Sequence, residues 1–546
     1  MTDAVIYKAA RILTLETDKP FASHVLIEDG LILAVGSLAE VEAHPRSQTA
    51  RRDDRFADKV LTPGFIEGHA HLDGGTVWKA AYVGPYDRTD PDGRIWPAAR
   101  SIEAVVERLK AHAAEAEGGV SGWGFDPLLI GQSLDRHHLD AVSEAHPVTV
   151  FHASGHIIVA NSAALKLAKL FPAKAPHPGL PTDSDGLPVG ELRGSELMGL
   201  AITSIPSLQG FWNFDGRGAK PFSRTCVRVG VTTSADLANA LPEKGVEALL
   251  ATTAEPDFPI RIVPALIDNA SPPEAVIEKA LKLAARSSDR LRLGAIKLVL
   301  DGSIQGFTAR LLAGSYYSGA PNGLWYLPPE RLAAVYDLAL KNGVQVHTHT
   351  NGDQATELAL ETLERLLADS PKRDHGFVLQ HAQLAHPDQL RRAAKIGLNI
   401  NLFPNHIYYW GEVHARHTVG PERARTLNPC RSALEAGVTL AIHSDDPVTP
   451  IAPLFTAWCA VNRLTSEGHI LGPDERISVE EALYAITLGA AKTLRLDAEI
   501  GSIKPGKKAD FAVLDQDPLS VAPEALRDIP VWGTLSGGRI FDAASA

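Results

Sequence analysis

LTPGFIEGHAHLDGG, residues 61–75, places two imidazoles, His69 and His71, two residues apart at the end of an apolar, strand-like run. Residues i and i+2 of a strand face the same side, so the pattern points both rings one way. Two imidazoles on one side suit a metal ion better than a core, although paired histidines also occur as ordinary polar residues. Related residue types close other apolar runs: Lys297 in LGAIKLVLD, His347 and His349 in VQVHTH, His381 in FVLQHA and Asp445 in TLAIHSD. Each has an everyday reading when taken alone. A lone His381 is more often a satisfied polar residue, Lys297 could snorkel to the surface, and Asp445 could cap the turn that follows it. Their joint occurrence at run ends leaves the everyday reading little room. Imidazoles and carboxylates bind zinc, and also manganese, iron or nickel. Such an ion polarises a carbonyl and lowers the pKa of bound water. Asp445 could then ligate the ion, accept the proton of that water and pass it to a leaving group.

These side chains have to be positioned by something, and the middle of the chain reads as a parallel α/β fold. Eight candidate strands, 61–71, 230–237, 259–267, 293–301, 344–349, 377–382, 398–403 and 439–445, alternate with helical stretches such as PPERLAAVYDLALKNG and HPDQLRRAAKIG. The second of these ends at a Gly where a C-cap would sit. Eight such repeats predict a closed (β/α)8, TIM-like barrel over residues 61–499, with catalytic residues at the C-terminal ends of its strands. The candidate ligands lie at such ends. Residues 72–229 are too many for one βα unit, so an insertion subdomain over 75–228 is expected to lean over the barrel mouth. It holds its own strand, 147–156, and an exposed Pro- and Gly-rich loop, 175–191. Short β-like runs at both ends, 1–60 and 500–546, suggest one small β-sandwich domain assembled from the two termini, with two separate β-caps as the competing arrangement.

The bulk composition fits that picture. The 546-residue chain is 45% hydrophobic and 22% charged, with net charge −12, which argues against nucleic acid or an anionic membrane as partner. Three cysteines, Cys226, Cys430 and Cys459, without a CxxC pair fit a reducing, cytoplasmic setting. No basic n-region leads into an apolar h-region at the start, and no apolar run approaches a membrane span.

PGFIEGHAH, AIKLVLDGS, HTNGD, LQHAQ and HSDDPV, in this order, resemble the motifs of the metal-dependent amidohydrolase superfamily, most closely its amidohydrolase-3 branch with the N-substituted formamide deformylase-like proteins. EDGLILAVG and GSIKPGKKADFAVLD look like that family's β-sandwich halves, and GWGFDP and SGHIIVANSAAL are similar to segments of the branch. The resemblance implies one or two divalent ions, zinc first among them. His69, His71 and Asp445 would bind the more buried ion, and His349 and His381 the second. Lys297 stands where many relatives carry a carboxylated lysine whose carbamate bridges the two ions. His347 faces the same way as His349 on a strand, so the choice between them is open.

The chain departs from the pattern at Phe307, where many relatives have Arg, at His443, where Gly is common, and at Ser154, where Asp is frequent. These changes alter the pocket and leave the ligands alone. Candidate substrate contacts are Asp301, His156, Asn161, Phe307, His406 and Trp410, the last two in an aromatic stretch with Phe403, Tyr408 and Tyr409. The function expected is hydrolysis of a C–N amide bond of N-acyl or N-formyl type in a small molecule. A cyclic amide, imide or lactone is the alternative substrate. The alternatives of another class are a non-hydrolytic metal enzyme and a non-catalytic barrel, which should have lost ligands that are all present here. The architecture is compatible with a homodimer.

Overall fold

The computed structural model describes residues 4–114, 119–172, 177–209, 214–268, 271–369, 371 and 374–546. All eight expected strands pair in one parallel sheet. In chain order they are β1 (Phe65–Glu67), β2 (Val231–Asn239), β3 (Arg261–Ile267), β4 (Ala295–Val299), β5 (Val346–Thr350), β6 (Val378–His381), β7 (Asn399–Leu402) and β8 (Leu440–Ile442). Sheet order follows chain order, as repeated right-handed βαβ crossovers require. The sheet curls until its outer strands meet. Asp445 N–H beyond β8 donates to His69 O beyond β1 at 3.1 Å, and Ser444 donates its hydroxyl to Glu67 at 2.6 Å. The architecture is that of a TIM-like barrel.

Helices cross back between strands, among them Glu243–Ala254, Pro273–Ala284, Pro329–Asn342 and Pro387–Ile396. The last two begin with Pro in the first turn and end at Gly343 (φ 68°) and Gly397 (φ 77°). Proline lacks the N–H that a first turn leaves unpaired, and glycine accepts the left-handed cap at no steric cost. Their apolar faces meet the outward side chains of the strands in one continuous core, including Ile296, Leu298, Leu332, Leu379 and Leu390.

The expected first strand, 61–71, divides at Gly64. Residues Arg51–Pro63 belong to another sheet, and only Phe65–Glu67 enters the barrel. A Cβ on Gly64 would lie 2.1 Å from Thr232 Oγ1, so the crossing from one sheet to the other needs a residue without a side chain. His69 and His71 therefore follow the strand on irregular backbone, and strand alternation is not what orients them.

The termini share a seven-stranded sheet. Its order is Arg539–Asp542, Val531–Ser536, Phe511–Leu514, Arg51–Pro63, Val5–Leu13, Phe21–Glu28 and Leu31–Gly36. Tyr7, Phe56, Phe511 and Leu535 are buried on it. Arg261, at the start of β3, ties this sheet to the barrel through Asp510 at 2.9 Å, both side chains being almost fully buried.

Between β1 and β2 lies a five-stranded sheet built from Ala81–Tyr82, Val120–Phe125, Val148–His152, Ile157–Ala160 and Glu191–Arg193. The expected strand 147–156 is shorter, Val148–His152, and ends in a turn at Gly155 (φ 70°) that leads to an antiparallel partner, Ile157–Ala160. The first two residues of the 175–191 loop lie outside the described residues. Among the described residues no helix is long and apolar enough to cross a membrane.

Candidate metal centre

The C-terminal ends of β1, β4, β5, β6 and β8 bring His69, His71, Lys297, His349, His381 and Asp445 together. Asp445 Oδ1 lies 3.4 Å from His69 Nε2 and 3.2 Å from His71 Nε2, and its Oδ2 lies 3.8 Å from His381 Nδ1. Lys297 Nζ is 3.3 Å from His69 Nε2. The ring centroids of His349 and His381 are 4.5 Å apart. His381 (φ 69°) and Asp445 (φ 58°) both hold left-handed backbone, which a non-glycine residue adopts at a cost. Strain at two converging polar residues marks a site that the surrounding barrel imposes.

Buried hydrogen bonds fix which ring nitrogens are free. Gln380 Oε1 accepts from Asn401 Nδ2 at 3.0 Å and from His69 Nδ1 at 2.8 Å. His69 thus carries its proton on Nδ1 and turns the Nε2 lone pair towards Asp445 and Lys297. The amide nitrogen of the same Gln380 donates to His347 Nδ1 at 2.9 Å, which puts the His347 proton on Nε2. At His349, Nε2 meets the Gly302 carbonyl and the Asn351 amide nitrogen, each at 3.1 Å, so that nitrogen is engaged and Nδ1 is held by neither. Orientation of a ring by the hydrogen bond of its other nitrogen is a recurrent feature of metal sites.

The electrostatics favour neutral imidazoles at His69, His347, His349 and His381, whereas at His71 the lowering by burial is outweighed by the hydrogen bond and charge of Asp445, and its pKa is raised. Burial first, then the Lys297 charge, holds His69 well below the usual histidine range, and His347 falls to about 3 for the same reasons. Burial, then neighbouring imidazoles, depresses His349 and His381. Burial alone pulls Lys297 down to about 7, with Asp445 opposing it. Burial would raise Asp445, but the hydrogen bond and charge of His71 reverse that and leave it lowered. Neutral rings beside an ionised carboxylate are the protonation states that a divalent ion needs. His381 Nδ1 is buried with no hydrogen-bond partner, and the buried Asp445 Oδ1 faces only the imidazole nitrogens of His69 and His71. Unpaired buried polar atoms are costly, and convergence of several is the mark of a ligand set. The residues present therefore fit a divalent ion.

The expected substrate contacts divide. The His156 ring, from the turn between Val148–His152 and Ile157–Ala160, lies 5.0 Å from His349. Phe403 stacks on His443 at 4.8 Å, and His406 packs on Phe403 at 4.4 Å. Phe307 is half-buried against Tyr316. Trp410 donates its indole N–H to Asp126 at 2.7 Å, so its polar atom ties the helix Asn405–Val413 to the start of the helix Pro127–Ile130. Asp301 has its carboxylate on three backbone N–H groups, of Arg310, Asn351 and Gly352, each at 2.9 Å. That role is to shape the loop after β5. Asn161 caps the helix Ser162–Leu167 and spends its amide on Val148, Ala164, Ser143 and His146. Its polar atoms are used up inside the insertion, and none is left for a substrate.

Gln380, Asn401 and Glu67 were not anticipated. Each is a polar residue inside a strand that reads as apolar, and that is the only sequence signal they carry.

A model of the amidohydrolase family matches residues 57–542. The chain belongs to that family. The amidohydrolase is 27% identical to N-substituted formamide deformylase of Arthrobacter pascens over 98% of both chains. It is 29% identical to protein LONG AFTER FAR-RED 3 of Arabidopsis thaliana, over 97% of this chain and 90% of that one. A crystal structure of an uncharacterized metal-dependent hydrolase from Pyrococcus horikoshii superposes with TM-score 0.71 at 24% identity, covering 95% and 99% of the two chains. The amidohydrolase is a hydrolytic enzyme acting on C–N bonds.

Proposed function

We infer that this amidohydrolase cleaves the C–N amide bond of a small N-acyl or N-formyl compound. The observation that carries the reading is the convergence of the His69, His71, His349 and His381 rings, Lys297 and Asp445 at the mouth of the barrel, with buried ligand atoms left unpaired. His69, His71 and Asp445 would hold one ion, most naturally zinc, and His349 and His381 would hold a second. The free Nδ1 of His349, against a protonated Nε2 on His347, favours His349 as the ligand. Lys297, buried and with its amine pulled down to about 7, is the kind of amine that takes up carbon dioxide, and its carbamate would join the two ions.

When bound, the metal polarises the substrate carbonyl and brings the pKa of water towards neutrality. Asp445 takes the proton from the attacking water. The oxygen bonds to the carbonyl carbon, the C–N bond breaks, and Asp445 returns the proton to the leaving nitrogen. His156, on the insertion over residues 75–228, and the aromatic column of Phe403 and His406 line the mouth, which suits an apolar or aromatic substituent. The terminal segments 1–60 and 500–546 form a supporting domain.

The test is a screen of metal-loaded protein against N-formyl and N-acyl amines, N-acyl amino acids, cyclic imides and lactones, with a chelator-treated control. Chelator-sensitive release of a carboxylic acid from the linear amides is expected. Turnover of rings alone would replace this substrate class. No turnover with metal bound would overturn hydrolysis of all four classes.

A further inference from the structure

His443 plays no part in the ligand set above, yet its surroundings are those of a ligand. It follows β8, its N–H continuing the ladder to Leu402 O at 3.0 Å. Its ring lies almost flat on His69, with centroids 4.6 Å apart and planes at 18°, and 5.0 Å from the His381 ring. Phe403 covers the remaining face at 4.8 Å and 24°. The residue is 1% exposed, and both of its ring nitrogens are buried without a hydrogen-bond partner. Among the buried histidines of the cluster this is unusual. His69 uses Nδ1 on Gln380, His347 uses Nδ1 on the same amide, and His349 uses Nε2 on Gly302.

If the position served packing alone, a phenyl ring would fill it without two unpaired polar atoms. An imidazole there is explained by something that takes its lone pair. One nitrogen each from His69, His381 and His443 lie within 4.8 Å of one another. Nitrogens bound to one zinc at about 2.1 Å lie no more than about 4.2 Å apart, so closing the group on an ion takes small shifts together with a turn of the stacked His443 ring that aims its in-plane lone pair at the ion. No carboxylate or backbone carbonyl competes for either His443 nitrogen among the described residues.

We propose that His443 is a metal ligand of this chain, coordinating the ion held near His69 and His381. The proposal rests on the metal-centre reading above, and the experiment separates the two. Wild-type protein and His443→Asn are stripped and reloaded with cobalt(II). Affinity is measured by chelator competition, and the coordination environment by the visible absorption of the bound ion. The expected result is at least a ~10-fold loss of cobalt affinity and an altered absorption band in the variant. Equal affinity with an unchanged band overturns the proposal while leaving the centre intact. A wild-type protein that binds no cobalt overturns the metal-centre reading itself. Should His443→Asn fail to fold, anomalous diffraction from zinc-loaded wild-type crystals decides. A His443 nitrogen at about 2.1 Å from an ion supports the proposal, and an ion without that contact overturns it.

Discussion

His69 and Asp445 meet twice. The Asp445 N–H donates to the His69 carbonyl at 3.1 Å, and their side chains approach to 3.4 Å between Oδ1 and Nε2. The first bond joins the ends of the first and last barrel strands. The second brings a carboxylate against the imidazole whose other nitrogen is anchored by Gln380. Barrel closure and site assembly are therefore one event, and residues from opposite ends of the barrel sequence become neighbours through it.

Asp445→Asn removes the charge and the proton acceptor while keeping shape. Turnover is expected to fall by on the order of 10²–10⁴-fold, the usual contribution of a positioned acid–base group. Steady-state kinetics with metal content measured on the same samples check this. Wild-type turnover in a metal-replete variant would remove the proton-transfer role.

Lys297→Met keeps length and apolarity and deletes the amine. If its carbamate joins two ions, the variant should hold fewer metal equivalents per chain than wild type and lose activity. Native mass spectra of the wild type should carry an increment of one carbon dioxide that the variant lacks. A wild-type mass without that increment, together with identical metal content, would show that no carbamate forms.

Trp410→Phe takes away the indole donor from buried Asp126. Hydrogen bonds to charged groups contribute ~1.5–3 kcal/mol, and a loss of this order is expected in thermal or denaturant unfolding. Burial raises the Asp126 carboxyl from 3.8 to about 6, while Trp410 and two backbone N–H groups lower it. A raised folded pKa means that stability falls as pH climbs from 3.8 through about 6 and is level above. Without the indole the pKa rises further, so the deficit of the variant should widen as pH is raised from acid to neutral. A deficit independent of pH would mean that Asp126 is not the group affected.

Arg261→Met leaves Asp510 buried without its cation. Breaking a buried pair from one side costs ~3–5 kcal/mol. Equilibrium denaturation should show that loss, and a second change of Asp510 to Asn should recover part of it. Full additivity of the two single changes would argue that the pair at 2.9 Å is not coupled.

Much of the barrel was legible because parallel strands buried on both faces write themselves as short apolar runs. All eight runs became strands, and the helices over 329–342 and 387–396 end at the glycines that their sequences display. The split at Gly64 was not legible. Nothing in TPGFIEG says that Thr232 approaches that backbone, because the contact comes from a strand remote in sequence. The turn at Gly155 escaped for a related reason, since an SGH tripeptide between apolar residues continues a strand as readily as it turns one.

The residue types of the site, their order and their places at strand ends belong to the sequence alone, because local patterning determines where strands stop and which side chains follow them. Tertiary structure decided what each group has left to offer. Asp301 and Asn161 look available in sequence, yet one is consumed by three backbone N–H groups and the other by a helix cap. His443 looks like an incidental change, yet it ends with two unpaired nitrogens against His69. Hydrogen-bond partners are drawn from strands far apart in the chain, so whether a polar atom is spent or free is a property of the assembled barrel.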